Sequence, residues 1–156
     1  MSAGAPSLPV DDGRCFACGP YADHGIGLVF TPDGERAVRG DVTLPERFQG
    51  WVGIAHGGIV MTLLDEGMAH ACAAAGERGM TAEVTVRFRK PVPLGAPVVV
   101  RGAVAEQRGR LLRVTSRVES PDGTLLASAE GSFVSAGPLG KPRLGSPDVI
   151  PSSTAR

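Results

Sequence analysis

Residues 57–75 constrain this chain more than any other stretch, because they read as one helix that is apolar on nearly every side. Ile59, Val60, Met61, Leu63, Leu64, Met68, Cys72 and several alanines leave it no broad polar face, and a helix of that kind belongs at the centre of its fold. Thr62, Asp65, Glu66 and His70 interrupt it at spacings of three to five and share one side. Those acidic groups and the histidine argue against a membrane span. A chain with one such helix must supply something to cover it.

The cover is read as β-structure. After Gly79 the apolar period changes from helical to two, and Thr81 through Arg89 alternate clearly. Residues 98–106, 111–119 and 125–134 continue as strands. Pro91, Pro93 and Pro97, a turn at 107–110, and Pro121-Asp122-Gly123 separate them. Ahead of the helix, residues 26–31 and 36–44 read as strands flanking the turn Pro32-Asp33-Gly34, and 45–54 is irregular. Two strands, one buried helix and four strands in meander style give the α+β class, one antiparallel sheet on one helix. A length of 156 residues suits one domain. It is placed at 15–135, between a flexible N-terminal segment, 1–14, and a Pro/Gly/Ser-rich tail, 136–156.

At the mouth of the helix stands His56-Gly57-Gly58. The first N–H groups of a helix lack internal partners and carry the positive end of its dipole, so they suit an oxyanion or a carbonyl oxygen. Glycine leaves them open to approach. Asp65, two turns on, is a carboxylate for a carbonyl carbon held at that mouth, and the pattern is that of acyl chemistry. Two roles are open to Asp65: nucleophile through an anhydride, or general base for water. Glu66 faces about 100° away on the helix and suits a pairing role instead. Gly57 is the candidate oxyanion donor. His56 is assigned to positioning, since nothing nearby suggests a nucleophilic triad.

The chain has 16 Lys+Arg and 16 Asp+Glu, which removes any bulk electrostatic case for nucleic acid or a membrane surface. Its aromatic content of 4% weakens single-strand recognition by stacking. Its arginines are instead local. Arg87 and Arg89 share one face of a strand with Lys90 on the other, and Arg108 and Arg110 flank Gly109. Such clusters are either a solvated face or a phosphate grip. Cys15 and Cys18, with His24 close behind, fall short of the four ligands of a zinc site. No metal and no cofactor are therefore expected. Cys72 reads as buried and inert. An odd set of three cysteines, with no export signal in residues 1–14, points to reduced thiols and a cytoplasmic location.

Taken together, Cys15-Phe16-Ala17-Cys18-Gly19, Gly27-Leu28-Val29-Phe30, His56-Gly57-Gly58 with Asp65 nine residues after the histidine, Thr81 through Pro93, Arg108-Gly109-Arg110 and Asp122-Gly123 carry a family resemblance. Over about residues 15–135 the chain resembles the hotdog-fold acyl-CoA thioesterases. The branch is the phenylacetate-pathway-like one of the 4-hydroxybenzoyl-CoA thioesterase superfamily. The resemblance implies a curved antiparallel sheet around a central helix, in homodimers or homotetramers with active sites at subunit interfaces. It places the catalytic carboxylate at Asp65, the oxyanion donor at Gly57, a thioester-positioning histidine at His56, and a water-orienting hydroxyl from the neighbouring subunit at Thr81. It places coenzyme A contacts at Arg87, Arg89, Arg108, Gly109 and Arg110. The chain departs from many relatives at Ala22-Asp23-His24, where Asn-Pro is common, which bears on the acyl pocket. Two further readings come with the fold: a non-catalytic acyl-CoA-binding or sensing protein, and an enoyl-CoA hydratase or dehydratase.

Overall fold

A computed structural model describes residues 9–139. Its elements in chain order are β1 (Phe30–Pro32), β2 (Ala37–Thr43), α1 (Gly57–Ala74), β3 (Glu77–Phe88), β4 (Pro97–Arg108), β5 (Leu111–Glu119) and β6 (Leu125–Pro138). All six strands form one sheet in the order β1-β2-β4-β5-β6-β3, antiparallel throughout. The α+β expectation of one sheet on one helix holds. The meander does not run through all four later strands. β4, β5 and β6 are successive neighbours, but β3 crosses to the far edge and pairs with β6, while β4 pairs with β2.

Alternation decides which face is buried. β5 runs strictly exposed–buried from Leu111 to Val118, so Leu112, Val114, Ser116 and Val118 face the helix and Arg113, Thr115 and Arg117 face away. Val98 and Val100 on β4 and Phe133 on β6 join the same core. α1 answers with Val60, Leu63, Leu64, Met68, Ala71 and Cys72, the spacing of one helical face. Each fully buried Leu, Val or Phe of this set contributes about 1.5–3 kcal/mol. The helix is not enclosed all round: Met61 is 48% exposed, so one side stays open in the single chain.

Helix and sheet meet most closely at two glycines. A Cβ at Gly102 would lie 1.9 Å from the Gly67 carbonyl oxygen, and one at Gly67 would lie 2.5 Å from Ser116 Oγ. No side chain fits at either position, and this approach sets the height of the helix above β4 and β5.

The strand ends differ from expectation for identifiable reasons. Residues 26–29 are not part of β1, because Ile26 and Leu28 donate their N–H groups to the carbonyls of Phe16 and Ala17. β3 starts at Glu77 and β6 runs to Pro138, the two ends pairing with each other. Residues 136–138, expected to open a tail, therefore complete the sheet. The parts of the flexible N-terminal segment and of the Pro/Gly/Ser-rich tail expected at residues 1–8 and 140–156 lie outside the described residues. No helix among the described residues is long and apolar enough to cross a membrane.

Candidate active site

His56 is the N-cap of α1, and its Nδ1 accepts the Gly58 N–H at 2.9 Å. The N–H groups of Ile59 and Val60 both go to the His56 carbonyl, at 2.9 and 3.1 Å. One donor of the first turn has no partner among the described residues: the amide of Gly57. It is exposed, and a Cβ placed on Gly57 would lie 3.8 Å from the ring of Phe88. The cap thus selects which N–H remains for a ligand.

Two turns on, Asp65 is half-buried and Oδ1 accepts a 2.8 Å hydrogen bond from Thr81 Oγ1. Burial pushes the Asp65 carboxyl above the ordinary aspartate value. The Thr81 hydrogen bond pulls against this, and the Glu66 charge adds to it. Thr81 reaches Asp65 within one chain because of a β-bulge. Thr81 pairs with Phe133 but Glu83 pairs with Ser132, a register shift that turns Thr81 toward the helix. Strict alternation would have put Thr81 on the face of Glu83, Thr85 and Arg87. Supply of this hydroxyl from the neighbouring subunit is therefore not needed for the Asp65 contact.

Gly57 and Asp65 of one chain are set well apart. Eight residues at about 1.5 Å each separate them by about 12 Å along the helix. Direct contact of the Asp65 carboxylate with a carbonyl carbon held at its own helix mouth would have to bridge most of that rise.

Glu66 belongs to a separate cluster. It lies 3.4 Å from His70 Nε2 and accepts from Cys15 Sγ at 3.8 Å. Burial pushes its carboxyl up, but hydrogen bonds from His70, Cys18 and Cys15 together hold it below the ordinary glutamate value.

The arginines fall into two places that the structure does not bring together. Arg87 and Arg89 project from the sheet face opposite the helix, into a cavity of about 730 Å³ also lined by Arg101 and Arg117. Arg108, Gly109 and Arg110 form the β4–β5 hairpin, where Arg108 pairs with Glu106 at 2.6 Å and Arg110 Nε donates to the Ser135 carbonyl at 3.0 Å. Along β5 the two places are six residues apart, or about 20 Å. Sequence reading missed Arg101 and Arg117. Register puts Arg39, Arg101, Arg117, Ser128 and Arg87 in one row across the sheet, a juxtaposition that only strand order reveals. Arg101 is paired with Asp33 and with Glu119, and Arg117 with Glu119, whereas Arg87 and Arg89 form no ion pair among the described residues.

A family model described as thioesterase superfamily matches residues 52–127. Rat acyl-coenzyme A thioesterase THEM4 is 31% identical over 120 residues, covering 74% of this chain and 52% of that protein, so the chain spans about half the length of the curated relatives it matches. The E. coli PaaI protein of the phenylacetic acid degradation operon has the same fold, with TM-score 0.67 at 18% identity, over 72% of this chain and 82% of that one. The crystal structure of a thioesterase superfamily protein superposes with TM-score 0.76 and 32% identity, covering 85% of this chain and 68% of its own. With the sheet, the capped helix and that match in place, the chain belongs to the thioesterase superfamily and has its hotdog fold.

Proposed function

We propose that this protein hydrolyses the thioester of an acyl- or aryl-CoA to the free acid and CoA, at a site completed by a second copy of the chain. The observation that carries the reading is the pairing of one open helix-mouth amide, Gly57, with one half-buried, hydrogen-bonded carboxylate, Asp65. The Gly57 N–H receives the thioester oxygen and stabilises the oxyanion that forms there. Asp65 acts as general base: it takes a proton from water as the water oxygen bonds to the carbonyl carbon. The carbon–sulfur bond then breaks, and the departing thiolate takes up that proton. Thr81 fixes the orientation of the carboxylate. His56 holds the helix mouth so that only the Gly57 amide is free. No cofactor is required, since carboxylate, amide and water complete the balance. Arg87 and Arg89, which have no acidic partner among the described residues, are the better phosphate contacts for CoA than Arg108 and Arg110, which are engaged by Glu106 and the Ser135 carbonyl.

The rise of about 12 Å and the edge of the sheet support the second copy. β3 is an edge strand of 12 residues that carries Met80, 52% exposed, and Phe88, 55% exposed. A long unpaired edge strand with exposed apolar side chains invites pairing. Two-fold pairing there sets the Gly57 end of one chain beside the Asp65 end of the other. A cytoplasmic setting fits the three free cysteines.

The deciding assay is free-thiol release from a panel of short, long and aryl acyl-CoAs, with Asp65→Asn beside the native protein. Turnover by the native chain and loss of at least about 10²-fold in the variant are expected. Equal rates would remove Asp65 from the mechanism. Tight binding without thiol release by the native chain would make it a binder.

A further inference from the structure

A cluster outside the thioester site joins the N-terminal segment to the helix. Cys15 to Gly19 folds into a turn in which the Gly19 N–H donates to the Cys15 carbonyl at 2.7 Å. The turn is so tight that a Cβ at Gly19 would lie 2.4 Å from the Gly13 oxygen and 2.5 Å from the Cys15 nitrogen. It presents Cys15 and Cys18 to α1, where Glu66 and His70 stand one turn apart. The two sulfurs and a Glu66 carboxylate oxygen all lie within 4.8 Å of one another. His70 Nε2 is 3.4 Å from Glu66 Oε2, and its ring is held by stacking on Phe30 at 4.5 Å. A cavity of about 290 Å³ opens beside Cys18, Glu66 and His70 and gives an approach from solvent. The thioester chemistry uses none of these four side chains.

Ligand atoms around one tetrahedral zinc, at about 2.0–2.3 Å from the metal, stand about 3.3–3.8 Å from each other. The 3.8 Å from Cys15 Sγ to Glu66 Oε1 already matches that shell, and His70 Nε2, 3.4 Å from the other carboxylate oxygen Oε2, stands outside this group of three as the fourth ligand on offer. A thiol is a weak donor, and one cation would meet the Glu66 carboxylate and both sulfurs at once. Two sulfurs, one imidazole and one carboxylate are ligands for zinc and not for magnesium or calcium. The CxxC turn looked two ligands short because the other two come from a helix distant in sequence.

We propose that Cys15, Cys18, Glu66 and His70 form a structural zinc site that fastens the N-terminal segment to α1, beside Asp65. Zinc enters as the dication and the two thiol protons leave to solvent, with no electron transferred. Four protein ligands fill the coordination shell and leave no position for substrate.

The test uses the full-length chain and zinc chloride, with metal analysis, chelator competition and cobalt substitution. One zinc per chain is expected, together with a thiolate-to-cobalt charge-transfer band and a rise in Tm on zinc addition. Cys15→Ser/Cys18→Ser should lose all three. His70→Ala and Glu66→Gln should weaken zinc by about tenfold or more, and they keep the test decisive if the cysteine variant fails to fold. Substoichiometric zinc in the native chain would overturn the proposal. So would a cobalt form without the thiolate band, or zinc affinity unchanged in His70→Ala and Glu66→Gln. A Cys15–Cys18 disulfide in the protein as isolated would replace the zinc site with a redox pair and would also overturn it.

Discussion

Gly57 and His56 divide one task between them. The histidine occupies the Gly58 amide, its carbonyl takes the next two, and the glycine is left with the free donor. This yields an unusually clean substitution. Proline is favoured at the first helical position, and His56 at φ −57°, ψ 136° already has the extended backbone that a residue before proline requires. Gly57→Pro should therefore keep Tm near that of the native protein while lowering kcat by about 10²–10³-fold. Steady-state kinetics beside a thermal melt check both halves of that statement. Thr81 offers a second prediction. Burial raises the Asp65 pKa and the Thr81 hydrogen bond lowers it, so the acid limb of kcat/KM should fall above the ordinary aspartate value. In Thr81→Ala that limb should move to still higher pH, which a pH–rate profile reads directly. The same sign governs stability. A carboxyl whose folded pKa is raised stabilises the fold below its unfolded pKa and loses that contribution as pH rises through the folded value. At neutral pH Asp65→Asn should consequently fold as well as the native chain, so its loss of activity would not reflect unfolding.

Between helix and sheet, the contact that sets the geometry is made by backbone. Because a Cβ on Gly102 would lie 1.9 Å from a helix carbonyl, Gly102→Ala must lift α1 from β4. Overpacking of this kind costs about 1–3 kcal/mol, and chemical denaturation should show it as a lower midpoint. The elements themselves were largely legible in the sequence. α1 shows as an apolar run opened by His-Gly-Gly, β3 to β6 as alternation cut by proline and turn signals, and Asp65 and Gly57 as costly residues in a segment otherwise suited to burial. Three things were not legible, each because it depends on what lies alongside. The bulge at Thr81 is set by pairing with β6, and no local period records it. The crossing of β3 to the far edge is a choice of partner, as is the arginine row from Arg39 to Arg87. The pairing of residues 26–28 with the Cys15–Cys18 turn, instead of with β2, removed most of an expected strand.

At the scale of the whole molecule, the proposed reading gives each copy two half-sites, the Gly57 amide and the Asp65 carboxylate. The open amide and the half-buried carboxylate belong to residues about 12 Å apart along one rigid helix. An unpaired β3 edge with exposed Met80 and Phe88 supplies the surface on which a second copy would bring unlike halves together. The account therefore depends on chains sharing sites, and mixing two inactive variants tests that directly. Gly57→Pro spoils only the amide half, and Asp65→Asn only the carboxylate half. If each site takes Gly57 from one chain and Asp65 from the other, a hybrid dimer of the two variants holds one intact site and one doubly damaged site. Co-refolding them in equal amounts should restore thiol release to about a quarter of the native rate, since half the dimers are hybrids with one working site of two. Activity no higher than that of the separate variants, in a mixture shown to contain hybrids, would contradict the shared site.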